Sequence, residues 1–158
     1  MKNKYDFIKH HHDYLNDYIK FADAKALGVI TINGLALNMI YRQLSDSMFD
    51  VKYLLLLLAF VLISIGIILS ACVLLPRTSE KNHKGIIFWE NVISYKKNEY
   101  VSEIYNISER TLIDKMVEQN YFLSSTATKK YSALRKAFFC SFWGYWFIVL
   151  SIIFGLAC

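Results

Sequence analysis

Apolar residues gather into three runs nearly free of charge, Leu27–Tyr41, Tyr53–Leu75 and Ala137–Cys158. Between them, apolar and charged positions alternate at helical spacing. The second and third runs exceed the roughly 20 residues, at about 1.5 Å of rise each, that cross a hydrocarbon core of about 30 Å. The pattern predicts three membrane spans, 26–41, 53–75 and 137–158. An external loop, 42–52, joins the first two. A cytosolic helical region, 76–136, joins the last two, and residues 1–25 form a cytosolic amphipathic helix.

Within that helix, Phe7, His11, Tyr14, Tyr18 and Ala22 recur at spacings of three and four, flanked by Ile8, Leu15 and Ile19. Asp6, Lys9, Asp13, Asp17 and Lys20 fall on the other side. This is an amphipathic pattern over 5–22 whose aromatic side is expected to pack on other cytosolic helices. The first span carries Thr31, Asn33, Gly34 and Asn38, with Asp23 and Lys25 at its mouth. Polar groups are costly in hydrocarbon, so they are expected to face helices rather than lipid. Ala24 and Gly28, four apart, would permit close helix approach. The second span, led by five leucines from Leu54, reads as plain lipid-facing material that ends at Pro76 and Arg77.

The aromatic stretch Gly85–Ile93 reads as strand-like or irregular, and Lys97–Ile104 as a short helix. Ser108 suits an N-cap, with Glu109 in the first turn. From there Leu112, Met116, Gln119 with Asn120, Leu123, Ala127, Tyr131, Leu134 and Phe138 keep a helical stripe, with no proline or glycine before Gly144. One long helix is therefore expected from about 109 into the third span, projecting as a stalk.

Charge adds the topology. The 158 residues hold 18 Lys and Arg against 13 Asp and Glu. The basic residues concentrate in 1–25 and 76–136, while Asp46 and Asp50 offset the two in the loop 42–52. Basic residues stay on the cytosolic side of short loops, so the N-terminus is expected inside. This distribution points to a membrane rather than to a nucleic acid polymer. The first 25 residues lack an apolar core and cleavage site, unlike a secretory signal.

Chemistry is sparse. No nucleophile elbow, phosphate loop, CxxC or HExxH occurs, which argues against an enzyme. Cys72, Cys140 and Cys158 lie in apolar runs without ligand spacing and read as small hydrophobes. Adjacent helical side chains point about 100° apart, so His10, His11 and His12 are not expected to share a metal ion. No cofactor is expected. Asp23 and Lys25 read either as an ion relay or as an anchor and packing contact. The bases Lys96, Lys97, Lys115, Lys129, Lys130, Arg135 and Lys136 read as a phosphate site or as attraction to anionic lipid. Trp89, Tyr95 and Tyr100 read as a base-stacking set or as core aromatics.

A set of short phrases occurs in order: Phe21-Ala22-Asp23-Ala24-Lys25-Ala26, Ile32-Asn33-Gly34, Leu74-Leu75-Pro76-Arg77, Phe88 with Ile93, and Glu99-Tyr100. Gln119, Leu123-Ser124, Lys130-Tyr131, Leu134 and Ala137 follow. From about Tyr14 to the C-terminus this resembles the transmembrane effector family of Pycsar antiphage defence. The resemblance implies a neighbouring pyrimidine cyclase that makes cCMP or cUMP during infection. It also implies an effector that answers by damaging the inner membrane, giving abortive infection.

The resulting expectation is an all-α integral membrane protein with an amphipathic N-terminal helix, three transmembrane helices and a helical cytosolic stalk. The region 76–136 is too short, and lacks the strand pattern, for a cyclic-nucleotide-binding β-roll, so helices of a homo-oligomer would have to bind the nucleotide. The ligand candidates are Arg77, Trp89, Lys129, Lys130 and Arg135. The packing and gating candidates in the bilayer are Asp23, Lys25, Asn33, Gly34 and Asn38. Two rival classes are a membrane scaffold that recruits a soluble partner and a small channel or transporter subunit.

Overall fold

A computed structural model describes residues 2–46, 50–75 and 85–157. The elements are α1 (Lys2–Asp46), α2 (Val51–Leu74), α3 (Trp89–Val92), α4 (Lys97–Asn106) and α5 (Glu109–Ala157). Among the described residues there is no strand. Three helices, α1, α2 and α5, are long and apolar enough to cross a membrane. Two of them, α1 and α5, run far past their apolar stretches into polar sequence, because nothing there interrupts the backbone ladder, whereas α2 ends at Leu74 inside its run. Two helix starts are capped, that of α5 by Ser108 as expected and that of α2 by Asp50. Asp50 accepts from Tyr53 N at 2.8 Å, and Ser108 Oγ accepts from Thr111 N at 3.1 Å.

The stretch after Gly85 is not strand-like. Residues 86–88 bend, and Asn91 N and Val92 N then donate to Phe88 O at 3.0 Å to close the single turn α3. A strand would have no partner among these helices, whereas a turn satisfies its own amides.

The chain divides into two compact units, Met1–Lys20 with Pro76–Thr128, and Phe21–Leu75 with Lys129–Cys158. The second unit is therefore wider than the apolar runs alone. It takes in Asp23, Lys25 and the basic residues 129–136.

In the first unit, α1 turns Leu15 inward, with Ile8 and Ile19 half-buried. The aromatic side is not the packed one, because Phe7, Tyr14 and Tyr18 are exposed. The branched aliphatics fit against a helix more closely than flat rings do, and the rings pair along α1 instead. Tyr14 and Tyr18 lie 5.3 Å apart. Tyr100 OH donates to Ile86 O at 3.3 Å, linking α4 to the bend.

In the second unit, one core joins Ala22, Ala26 and Val29 of α1 to Val73 of α2 and Leu134 of α5. Another joins Ile40 of α1 to Leu56, Ala59 and Ile63 of α2, with Tyr145 and Ile148 of α5 packed against it. Within this unit α1 and α5 thus run parallel and α2 antiparallel to both. The second apolar run is not uniformly lipid-facing material, since α2 buries Leu56, Ala59, Ile63, Gly66, Ser70 and Val73 at spacings of three and four.

Candidate functional site

The most constrained polar group in the apolar unit is Asn33, 1% exposed on α1. Its Nδ2 donates to Ser141 Oγ at 2.7 Å. Ser141 in turn donates to Ala137 O at 2.9 Å, and Tyr145 OH donates to Asn33 Oδ1 at 2.8 Å. The chain of donors fixes the amide's orientation. Ser141 has already given its proton to Ala137 O, so it must accept, and the nitrogen of Asn33 must face it. A buried amide without partners would cost several kcal/mol on an order-of-magnitude scale, and here both ends are satisfied from α5.

The third helix reaches this network through a missing side chain. A Cβ on Gly66 of α2 would lie 2.6 Å from Ser141 Oγ and 2.9 Å from Asn33 Nδ2. The same holds from the other side. A Cβ on Gly144 of α5 would lie 2.5 Å from Ile63 Cγ1. The close approach expected at Ala24 and Gly28 is made here instead, between α2 and α5. Ala24 is exposed, and a Cβ on Gly28 would meet nothing within 4 Å.

An ion pair lies on the same α1–α5 seam. Lys130 Nζ donates to Asp23 Oδ1, with 8% of the Lys130 side chain and 34% of that of Asp23 exposed. Lys25 takes no part in it. Its ammonium lies 4.3 Å over the Phe21 ring and 5.9 Å from that of Tyr131.

In the first unit, Asn120 on α5 is 4% exposed and holds α1 at two points. Its Nδ2 donates to Ile8 O at 3.0 Å, and its Oδ1 lies 3.0 Å from His12 Nδ1. Because the amide nitrogen is used on a carbonyl, the oxygen must accept, and His12 Nδ1 carries the proton. The three consecutive histidines diverge as helical geometry requires. His10 donates to Asp6 O at 2.7 Å, His11 stacks on Phe7 at 6.0 Å, and His12 meets Asn120.

Of the sequence-predicted residues, the structure brings Asn33 into the network and Asp23 into a pair with Lys130. Gly34 and Asn38 lie on the exposed side of α1. Thr31 is exposed too and donates to Leu27 O of its own helix at 3.0 Å. Lys129 and Arg135 are exposed on α5. Arg77 lies outside the described residues, as does the side chain of Trp89. Sequence reasoning missed Ser141, Tyr145, Gly66 and Gly144, and it placed Asn120 on the inward stripe of α5 without its bonds to α1. The available signal was the placement of Gly66 and Ser70, and of Ser141 and Gly144, within otherwise bulky apolar runs.

Residues 7–156 match the Pycsar effector protein domain. A curated relative, the Pycsar effector protein SaPycTM of Staphylococcus aureus, is 43% identical over 155 residues, covering 98% of each chain. The chain belongs to the Pycsar effector family. The family match takes in residues of all five helices, so the apolar unit and the polar first unit belong to one Pycsar effector domain. No solved structure matches this Pycsar effector.

Proposed function

We propose that the chain is the membrane-acting, non-enzymatic effector of a Pycsar antiphage system. A cyclic pyrimidine nucleotide, cCMP or cUMP, made by a partner cyclase binds its cytosolic part and shifts the packing of its three spans. The inner membrane is then impaired and infection aborts. The chain sits in the inner membrane with its N-terminus cytosolic and works as a homo-oligomer. The observation that carries this reading is the relative's 43% identity across 98% of both chains, apolar helices and polar segment together.

The geometry supports a conformational rather than a chemical action. Asn33, Ser141 and Tyr145 satisfy one another in the packing described here. A rotation of α1 or α5 would release these groups to line a polar path or to bind equivalent groups of another copy. On α5, Lys129 supplies an exposed cation for the phosphate, with Lys130 next to it in sequence. A nucleotide phosphate near Lys129 would compete with Asp23 for Lys130 and so act on the seam that holds Asn33.

Dye leakage from liposomes carrying the purified chain tests the reading, with cCMP, cUMP or cAMP added separately. Leakage triggered by one pyrimidine nucleotide and not by cAMP is the expected result. Inserted, folded protein that releases no dye with any of the three would overturn it.

A further inference from the structure

The surface of the apolar unit holds a groove of about 730 Å³ along α2 and α5. Arg135 and Lys136 of α5 line it, both exposed, and neither makes an ion pair with a described residue. Its wall is apolar and aromatic, formed by Leu69 of α2 and by Phe138, Phe139 and Phe142 of α5. The cations and the rings are stacked in order along the helix. Leu134, next to Arg135, shares a core with Val73 at the end of α2. The cations therefore stand where α2 stops and where the charge-free run of α5 begins at Ala137. The rings follow within the next two turns. Of the neutral polar side chains in the lining, Ser132 alone carries a hydroxyl or amide.

That composition discriminates between ligands. A nucleobase needs donors and acceptors for its edges, and beyond its two cations this groove offers one hydroxyl. A phospholipid needs cations at the height of its phosphate and apolar surface below, in that order. We infer that the groove binds an anionic phospholipid, whose phosphate is held by Arg135 and Lys136 and whose acyl chains lie along Leu69, Phe138, Phe139 and Phe142. This rests on the reading that α2 and α5 span a bilayer. It also narrows the nucleotide candidates, because it gives Arg135 to lipid.

The test uses the full chain in phosphatidylcholine vesicles that carry spin-labelled phosphatidylglycerol or spin-labelled phosphatidylcholine. Electron spin resonance reads the fraction of each lipid immobilised by the protein. Each cation near an anionic headgroup contributes about a five-fold preference, so retention of phosphatidylglycerol should exceed that of phosphatidylcholine on the order of ten-fold or more. The double substitution Arg135→Gln with Lys136→Gln should bring that ratio close to one while leaving immobilised phosphatidylcholine unchanged. The control Lys96→Gln with Lys97→Gln removes the same charge elsewhere and should leave the ratio intact.

The proposal is overturned if the double variant keeps its preference or if the control loses as much. A chain that immobilises neither lipid would overturn the spanning reading and this proposal with it.

Discussion

Asn33 of α1 and Ser141 of α5, separated by 108 residues in sequence, meet at 2.7 Å inside the apolar unit. The contact is directional: the amide gives, the hydroxyl accepts and passes its own proton to the backbone. Such a bond sets both the rotation and the register of the two helices, which apolar contacts alone do weakly.

Replacing Asn33 with leucine removes both of its bonds and leaves the Tyr145 hydroxyl without its acceptor. We expect Asn33→Leu to insert normally and to lose toxicity, with a change in bundle stability of about 1–3 kcal/mol. Membrane fractionation and a growth assay during induction with the cyclic pyrimidine nucleotide present measure the two. Killing at the original level would remove Asn33 from the mechanism.

Gly66→Ala should act on the same network from α2. The added Cβ falls 2.6 Å from a hydroxyl held by two hydrogen bonds and 3.3 Å from Ala137 O. Overpacking of this kind costs about 1–3 kcal/mol. A lower unfolding midpoint in detergent is expected for Gly66→Ala, whereas Gly34→Ala, which meets nothing within 4 Å, should match or slightly exceed the parent. Equal midpoints for the two variants would contradict the close approach described here.

Lys130 and Lys25 should respond differently to loss of charge. Lys130→Gln leaves the Asp23 carboxylate on the seam without its partner, while Lys25→Gln removes only the contacts with the Phe21 and Tyr131 rings. The coupling between Asp23 and Lys130 in a double-substitution cycle should reach about 1–3 kcal/mol, less than for a fully buried pair because Asp23 keeps 34% exposure. Additive effects within error would show the pair to be energetically idle.

Asn120→Ala should loosen the first unit and spare the second. It removes the bonds to Ile8 O and His12, at about 1–2 kcal/mol. Hydrogen exchange should quicken in the α1 segment around residues 8–12, with the amides around Asn33 unchanged. Uniform protection across α1 would count against Asn120 as the local tie.

Much of this architecture follows from the sequence alone. A long run without charge has to satisfy its own backbone polar groups, and a helix does so. The three runs therefore announce α1, α2 and α5. The absence of proline from 109 onward and the Ser108 cap announce the length of α5, and the ordered phrases from Phe21 to Ala137 announce the family. Periodicity also places residues around each helix. It cannot say how one helix is rotated against another.

That rotation decided which polar residue of the first run turned inward: Asn33, with Thr31, Gly34 and Asn38 left on the surface. It gave Asp23 to Lys130 in place of the nearby Lys25. It also made Gly66 and Gly144, unremarked in their runs, the points where α2 and α5 approach. These choices depend on side-chain volumes meeting across helices far apart in sequence, such as at Asn33 and Ser141, 108 residues apart. Spacing within one helix carries no record of them.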